Sequence, residues 1–403
     1  MIIVEIGGDP AVGFAGRFLS LLGHRVIKIE FLPGGDETRS RPPQYLGQEK
    51  DESSGILFHY LNQGKQSVAI DLDEKEGQSI VKQLSHAAQA VIVDATSLNR
   101  KHVNELIEQL GGDVVTVVSP FGLDGPYSRF EATSGTIFAI SGEASMLPGG
   151  IGYQLNPDGP PLLARGHVAD GDTGVIATLV TLAGLLHYAN DKTRVSLDVT
   201  KQEAETSLNR WLVTHFRASG WIESRATRAY SYGGLTQCAD GFVQIQPATD
   251  KHWQSIVNML GKPKWSDSPE LATQEDRAAN GSLIQEHLAK WALSKSKSEV
   301  FEAGMAVGLP VAPVQNVADV ASSDQYRARQ YFVPASDVSD SPLELAGVPF
   351  RPHPSTQASY TSAPDLGEHT RQVLLEFLNL SNDQIRDLES RAIIKCNVNV
   401  VRH

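Results

Sequence analysis

Short apolar runs alternate along the chain with stretches in which apolar residues recur at helical spacing. Ile2–Ile6 is a run interrupted only by Glu5, and Val26–Glu30 is a second strand-like run. Between them, residues 11–22 carry apolar side chains every three or four positions, and Gly23 ends the pattern. The first thirty residues therefore predict a strand, a helix and a second strand, which is the opening of a parallel sheet.

The same alternation continues to about residue 200. Further strands are predicted in the run that ends at Leu72 and at Ala90–Asp94, Asp113–Ser119 and Thr193–Val199. A helix is predicted over Glu74–Leu84, and the long apolar run Val175–Leu186 predicts a buried helix. Strands that alternate with helices in this way indicate an α/β fold with a parallel sheet.

The pattern changes after residue 200. An amphipathic helix is predicted over Glu203–Ser219, and a β-hairpin over 229–246 with Asp240 and Gly241 at its turn. Helices follow at about 251–261, 281–293 and 297–307, and two more are expected near the C terminus. We therefore predict a large domain whose N-terminal part is 1–200, a linker helix at 201–228, a small domain at 229–325 and a return to the large domain at 326–403.

Two carboxylates stand just before the apolar run at 175–186. Asp170 and Asp172 lie in a glycine-flanked loop where the predicted helix begins. The first four N–H groups of a helix have no intrahelical partners, and the helix dipole leaves partial positive charge there, so a carboxylate at this place is held ionised. It can act as a nucleophile. From these residues alone a helix cap is the favoured interpretation, because capping is the commoner role of such aspartates.

Composition and charge exclude some classes of function. The chain has 403 residues, of which 41% are hydrophobic and 20% are charged, as in ordinary globular proteins. The net charge of −12 argues against a general nucleic-acid surface. The two cysteines, Cys238 and Cys396, provide neither a disulfide framework nor metal-ligand spacing. Because no signal peptide and no uninterrupted apolar segment of about 18 residues is visible, we expect a cytoplasmic protein without membrane or nucleic-acid partners.

Motifs of several common chemistries do not occur in the sequence. It contains no H-E-x-x-H, no G-x-S-x-G and no G-x-x-x-x-G-K-[ST], so we expect no metal site and no hydrolase or phosphate-loop chemistry of those types. Gly7–Gly13 departs from the dinucleotide fingerprint, which weakens the interpretation of Glu30 as a ribose ligand. Lys65 is interpreted as a surface lysine, and each of the twelve histidines as structural or surface. The remaining candidate chemistry is that of a carboxylate.

Seven blocks of the sequence occur in the order typical of one known family. Four of them are the segment from Val26 to Arg39, Asn62–Leu72, Phe121–Tyr127 and Ala169–Gly174. The other three are Gly261–Trp265, Gly308–Val314 and Leu366–Arg371. With these blocks, which cover nearly the whole chain, the sequence resembles the class III CoA-transferases, a family that includes formyl-CoA transferase, carnitine CoA-transferase and α-methylacyl-CoA racemase.

The resemblance implies a Rossmann-like large domain built from both chain ends, a smaller inserted α+β domain and an interlocked homodimer. The family's nucleophilic aspartate falls on Asp170, which leaves Asp172 or Thr173 as the helix cap. The implied activity is transfer of CoA from an acyl-CoA thioester to a small carboxylic acid, through an aspartyl anhydride and an aspartyl-CoA thioester. Coenzyme A is then a substrate, and no tightly bound cofactor is implied.

The resemblance also implies positions that contact CoA. They are Ala11, Phe31, Arg39, Arg41, Ile70, Asp71, Leu72, Asp94 and Ala95. Phe31 stands where the family usually has an arginine, which leaves Arg39 and Arg41 as phosphate partners. Asp94 and Ala95 stand where many members have asparagine and phenylalanine.

Other functions stay open on the same residues. An acyl-CoA racemase or isomerase would use Asp170 for proton transfer, although Ser134 and Gly135 lie near the place of the racemase histidine. A CoA-binding protein without turnover would account for the replaced ligand-side positions, and a dinucleotide oxidoreductase is the last alternative. The acyl donor and the acceptor acid are not specified, because the segments that select them are the divergent ones.

Overall fold

The computed structural model describes residues 1–44, 55–96, 107–208, 211–228, 230–334, 344–350 and 361–397. The chain divides into two compact units: Met1–Gly142, Ala164–Arg210 and Ala328–His403 form the first, and Glu143–Leu163 and Trp211–Arg327 form the second. The boundaries expected from the sequence placed residues 143–163 in the large domain. These residues belong to the second unit because Arg225 donates hydrogen bonds to carbonyl groups there, including that of Asn156 at 2.9 Å.

The strands of the described chain are numbered in sequence order. They are β1 (Ile2–Ile6), β2 (Arg25–Phe31), β3 (Gln66–Ile70), β4 (Ala90–Asp94), β5 (Val114–Ser119), β6 (Val195–Thr200), β7 (Gly234–Cys238), β8 (Gly241–Ile245), β9 (Val311–Pro313), β10 (Phe332–Pro334), β11 (Glu344–Ala346) and β12 (Ile394–Lys395). The strands expected from the sequence up to residue 200 are all present, with ends shifted by a few residues.

The helices are numbered in the same way. In the first half of the chain they are α1 (Pro10–Leu21), α2 (Ile56–Asn62), α3 (Lys75–His86), α4 (Ser134–Ile140), α5 (Ile151–Leu155), α6 (Val168–Asp191), α7 (Lys201–Leu208) and α8 (Leu212–Ser219). In the second half they are α9 (Asp250–Met259), α10 (Gln274–Ala279), α11 (Gly281–Ala292), α12 (Lys297–Ala306), α13 (Val317–Ser322), α14 (Asp324–Ala328), α15 (Thr370–Leu378) and α16 (Asn382–Ser390).

The first unit is built on a seven-stranded sheet with the order β12-β3-β2-β1-β4-β5-β6. β1 to β6 pair in parallel, and only the C-terminal strand β12 is antiparallel to its neighbour. The order 3-2-1-4-5-6 is that of doubly wound dinucleotide-binding folds, in which ligands bind at the carboxyl ends of the strands. The mixed α/β fold with a large parallel sheet is confirmed.

Alternate strand residues face two separate cores. Ile3 of β1 packs with α1 and α6 on one face, whereas Val4 and Ile6 pack with α3, α15 and α16 on the other. This alternation is what a strand dictates, since successive side chains point to opposite faces. Helices therefore cover both faces, as a parallel sheet requires.

A network of buried charges lies beside β1. The Lys28 ammonium contacts Glu5 Oε1 at 2.9 Å and Asp36 Oδ2 at 2.8 Å, and the Lys65 ammonium contacts Glu5 Oε2 at 2.7 Å. All four side chains are at most 3% exposed. The interpretation of Lys65 as a surface residue is therefore wrong, because its ammonium is needed to neutralise a carboxylate inside the core.

α6 begins seven residues earlier than the apolar run suggested. Its first residue is Val168, so Asp170 and Asp172 lie inside the helix and neither Asp172 nor Thr173 is the cap. The N-cap is His167, and the Thr173 hydroxyl donates to the Ala169 carbonyl at 2.7 Å. A Cβ atom at Gly174 would lie 2.4 Å from Phe14 Cβ, so this glycine lets α6 press against α1.

α6 is also long and apolar enough to cross a membrane by length and composition alone. Half of its most apolar window is buried, and the helix packs against α1 and the sheet. A core helix of a globular unit passes the same test, so this property is weak support for a membrane span.

The second unit has its own core. The hairpin β7–β8, with Asp240 in its turn, and β9 form a three-stranded sheet that packs against α9, α11 and α12. The hairpin and the three helices agree with the sequence-based expectation. The single helix expected over Glu203–Ser219 is instead two, α7 and α8, and α8 buries none of its residues within the chain.

Candidate active site

Four charged side chains meet at the carboxyl edge of the parallel sheet. Asp9 follows β1 and caps α1, Asp94 is the last residue of β4, and Lys201 directly follows β6. Asp170 lies in the first turn of α6, which packs on α1. The close approach of β4 to the β1–α1 turn needs Gly7, whose φ is +106° and whose Cβ would lie 2.6 Å from Asp94 Cβ.

The two carboxylate oxygens of Asp170 have different partners. Oδ1 accepts a hydrogen bond from Lys201 Nζ at 2.8 Å, and Oδ2 lies 2.8 Å from His167 Nδ1. The side chains of Asp170 and Lys201 are 4% and 3% exposed, whereas that of His167 is 30% exposed. The His167 side of Asp170 is therefore nearer to solvent than the Lys201 side.

Lys201 is shared between two carboxylates. Its ammonium also contacts Asp9 Oδ2 at 2.5 Å, while Asp9 Oδ1 accepts from the Ala11 amide at 2.8 Å. The Asp9 amide in turn donates to Asp94 Oδ2 at 3.0 Å. Two carboxylates thus contact one ammonium, and the third, that of Asp94, is linked to them through the Asp9 amide.

The electrostatics favour an ionised Asp170. Burial alone would raise its pKa, but the hydrogen bond from His167 and the charge of Lys201 lower the pKa below its usual value. Burial would lower the pKa of Lys201, yet Asp9 and Asp170 raise it, so the lysine stays charged. Burial raises the pKa of Asp9 to about 6, with Lys201 opposing the shift and the Asp94 and Asp170 charges adding to it.

The Asp9 pKa has a consequence for stability. Its value of about 6 lies above 3.8, so the folded chain binds this proton more tightly than the unfolded chain. The resulting stability is complete below the unfolded pKa and is lost as the pH rises through about 6. The wild type loses this contribution between about pH 4.5 and pH 7.5, whereas Asp9→Asn has no such proton to lose. The free energy of unfolding of Asp9→Asn, measured relative to that of the wild type, should therefore rise by up to about 2 kcal/mol over this pH range.

This prediction is measured by thermal unfolding of both proteins at the two pH values. The substitution also weakens the contact with Lys201, but that loss of stability is the same at both pH values and therefore cancels in the comparison. An equal difference between variant and wild type at both pH values would show that Asp9 has an ordinary pKa.

The backbone at the start of α6 is unusual. His167 has φ 60° and ψ 37°, a left-handed conformation that few non-glycine residues adopt and in which histidine is enriched. This conformation turns the imidazole back over the first helical turn, three residues before Asp170. Non-glycine residues in the left-handed region cluster at functional sites.

Most of the positions expected to contact CoA lie at the same edge of the sheet. Phe31 ends β2, Ile70 ends β3 with Asp71 and Leu72 directly after it, Asp94 ends β4 with Ala95 after it, and Ala11 lies in the first turn of α1. Phe31, Asp71 and Leu72 are half-buried, while Ile70, Asp94, Ala95 and Ala11 are buried. The structure thus places these positions along the edge where open parallel sheets bind ligands.

The two arginines differ from one another. Arg39 is buried, its Nε and Nη2 donate to Glu30 at 2.8 and 2.6 Å, and its guanidinium lies over the Phe58 ring. Contrary to the expectation, its guanidinium is occupied inside the core and not offered to a phosphate. Arg41 is exposed and pairs with Glu37 at 2.6 Å, an arrangement that a phosphate can replace.

Glu30 has no place for a ribose. Its Oε1 accepts from Ser67 Oγ at 2.6 Å as well as from Arg39, and its Oε2 accepts from the Asp36 amide at 3.0 Å. Both oxygens are satisfied inside the protein, so this carboxylate is structural.

Three residues at the site were not expected from the sequence: His167, Lys201 and Asp9. His167 stands three positions before Asp170, which is the spacing of neighbouring side chains on a helix. A prediction that began the helix earlier would therefore have placed these two side chains together. Lys201 and Asp9 follow the ends of parallel strands, whose carboxyl ends meet at one edge. No cluster of three metal-ligating side chains occurs within the described ranges.

The sequence matches the family model described as CoA-transferase family III over residues 1–370. The chain belongs to CoA-transferase family III. Members of this family use CoA thioesters as substrates. The sheet edge that holds Asp170 therefore belongs to a member of a CoA-dependent enzyme family.

Relatives of this family III chain cover it almost completely. It is 25% identical to the succinate–glutarate CoA-transferase of Agrobacterium fabrum, over 93% of this chain and 94% of the relative. It is 27% identical to the succinyl-CoA–L-malate CoA-transferase beta subunit of Chloroflexus aurantiacus, over 97% and 96%. It is 25% identical to the formyl-CoA:oxalate CoA-transferase of Streptomyces avermitilis, over 94% and 95%.

Solved structures show the same fold. A CAIB/BAIF family protein from Brucella suis superposes with a TM-score of 0.79 at 23% identity and covers 94% of this chain and 98% of its own. Rv3272 from Mycobacterium tuberculosis has a TM-score of 0.78 at 20% identity and covers 92% and 97%. At these identities the likeness establishes the family III fold alone.

Proposed function

We propose that the chain transfers CoA from an acyl-CoA thioester to a carboxylic acid, with Asp170 as the covalent nucleophile. The observation that carries this proposal is a carboxylate held ionised in a buried site, at the edge of the sheet where a CoA ligand is expected. A buried carboxylate that reacts with a carbonyl needs a low pKa and a fixed orientation, and Lys201 and His167 provide both.

The reaction begins with attack of an Asp170 oxygen on the thioester carbonyl. The carbon–sulfur bond breaks, and CoA leaves as a thiolate while an acyl-aspartyl anhydride remains. The thiolate then attacks the aspartyl carbonyl, the first acid leaves as a carboxylate, and an aspartyl-CoA thioester forms. An incoming carboxylate reverses these two steps and takes the CoA, so atoms and charge balance without an added proton.

The CoA ligand would lie along the carboxyl edge of the sheet. We retain Ala11, Phe31, Ile70, Asp71, Leu72, Asp94 and Ala95 as the proposed contacts. Arg41 is the proposed phosphate partner because its guanidinium is exposed, whereas that of Arg39 is buried against Glu30.

Short dicarboxylic acids are the proposed acid partners. The relatives' names include succinate, glutarate, malate and oxalate. The test incubates the protein with succinyl-, acetyl- or formyl-CoA and a panel of these acids, and follows new CoA thioesters by chromatography. We expect exchange with at least one pair. Failure to bind CoA in calorimetry would remove the proposal.

An acyl-CoA racemase is the second candidate, because His167 and Asp170 form a pair that can hold and release a proton. A racemase would exchange the α-hydrogen of an acyl-CoA with deuterium from the solvent. Deuterium exchange without CoA transfer would favour this function over the first.

We also propose a homodimer, in which a second copy covers the outer face of α6. Val175, Leu179 and Leu186 share that face, and Leu179 and Leu186 are 61% and 65% exposed. An exposed apolar stripe of this kind is typical of a subunit contact.

Replacing Leu179 by glutamate should convert the protein from dimer to monomer, because the change buries a charge in the contact without touching the chain's own core. Light scattering after size exclusion measures the mass. Gln83→Glu, on the exposed side of α3, is the matched control and should remain dimeric. A wild-type monomer would contradict the proposed contact.

A further inference from the structure

Lys201 is a buried cation whose role the transfer scheme does not yet specify. Its ammonium lies 2.8 Å from Asp170 Oδ1 and is held in place by a second contact with Asp9. This geometry is that of a donor aimed at an oxygen on which charge develops, since such donors lie 2.7–3.1 Å from the oxyanion. A role for Lys201 in the reaction rests on the proposed covalent transfer.

The surroundings make the two oxygens of Asp170 unequal. Oδ1 faces an ammonium that is 3% exposed and fixed from two sides, so it cannot leave its partner without stranding a buried charge. Oδ2 faces the partly exposed imidazole of His167, which can swing aside at the cost of one hydrogen bond. Of the two oxygens, Oδ2 is therefore the one whose partner can give way to a substrate.

We propose that Lys201 is a catalytic residue, which holds Oδ1 through the whole reaction and stabilises the oxyanion formed there, so that Oδ2 alone makes and breaks bonds. In the anhydride, Oδ2 bridges the two acyl groups and Oδ1 is the aspartyl carbonyl oxygen. When the CoA thiolate attacks Cγ, the electron pair moves to Oδ1, next to the Lys201 ammonium. Collapse of this intermediate returns the pair to the carbonyl and expels the first acid.

The path of the oxygen atoms follows from this assignment. The first acid leaves with Oδ2 of Asp170, because the bond from Cγ to the bridging oxygen is the one that breaks. The acceptor acid then supplies a new oxygen to Cγ, and that oxygen stays on Asp170 when CoA moves to the acceptor. Each turnover therefore replaces one oxygen of Asp170. The other oxygen, Oδ1, is not replaced, because its contact with Lys201 blocks rotation of the carboxylate.

The test is multiple turnover of the wild-type protein with an acceptor acid labelled with ¹⁸O in both oxygens, followed by mass spectrometry of the peptide that contains Asp170. We expect one ¹⁸O atom in that peptide, however long the reaction runs. Two labelled atoms would show that the carboxylate rotates freely, which overturns the role of Lys201 while leaving covalent transfer intact. No label in an active protein would instead remove the covalent function itself.

A variant supplies the second measurement. Lys201→Met should lower kcat by roughly 100- to 1,000-fold with little change in KM for the acyl-CoA, and Lys201→Arg should recover part of the loss. Lys192→Met, which removes an exposed lysine beyond the end of α6, is the matched control. A wild-type kcat in Lys201→Met would overturn the proposal, and if that variant does not fold, the isotope pattern of the wild type decides.

Discussion

Asp170→Asn should lower CoA transfer by roughly four orders of magnitude or more, because it removes the attacking oxygen anion and leaves only the binding contributions to catalysis. Asparagine keeps the volume of the side chain and a carbonyl oxygen that can still accept from Lys201. CoA affinity and thermal stability should therefore remain near those of the wild type. The measurement is kcat in the exchange assay, with calorimetry for CoA binding.

Asp172→Asn is the matched control for this variant. It removes the same charge two residues further along α6, outside the contacts that Asp170 makes with His167 and Lys201. We expect it to retain about the wild-type rate. Equal losses of activity in the two variants would show that transfer depends on negative charge at the start of α6 and not on Asp170 as the nucleophile.

Lys28→Met should destabilise the fold strongly, because it removes a fully buried cation. The Lys28 ammonium contacts Glu5, Asp36 and the Gly7 carbonyl, all inside the protein. Without it, the Asp36 carboxylate loses its cationic partner, and Glu5 keeps only its ion pair with Lys65. Breaking a buried ion pair in this way lowers the free energy of unfolding by about 3–5 kcal/mol. Chemical denaturation followed by circular dichroism measures the loss.

Arg41→Met is the control for that loss. It breaks an ion pair with Glu37 in which both side chains are well exposed, and exposed pairs contribute about 0–1 kcal/mol. We expect the denaturation midpoint to stay close to that of the wild type. Equal midpoints for Lys28→Met and the wild type would mean that the network beside β1 contributes nothing to stability.

The parallel sheet could be predicted from the sequence because its strands are short apolar runs with clear ends, such as β1 and β4. Their burial on both faces by helices makes the pattern strong. The charges inside the fold could not be predicted in this way. Lys65 and Glu5 are 60 positions apart in the sequence, and only the pairing of β1, β2 and β3 brings their side chains together.

The start of α6 shows why the candidate site was only partly predicted. Residues 168–174 include two glycines and two aspartates, which are poor helix formers, so the pattern suggested a loop. The structure makes them helical because Gly174 allows close packing against Phe14 and α1. The resemblance identified Asp170, but Lys201 and His167 become partners only once the helix begins at Val168.

The covalent role of Asp170 is tested most directly by trapping. The protein is mixed with an acyl-CoA that it accepts, quenched with hydroxylamine and digested, and the modified residue is located by mass spectrometry. We expect a hydroxamate on Asp170 that requires the acyl-CoA and is missing in Asp170→Asn. An unmodified Asp170 in a protein that transfers CoA at full rate would contradict the covalent mechanism.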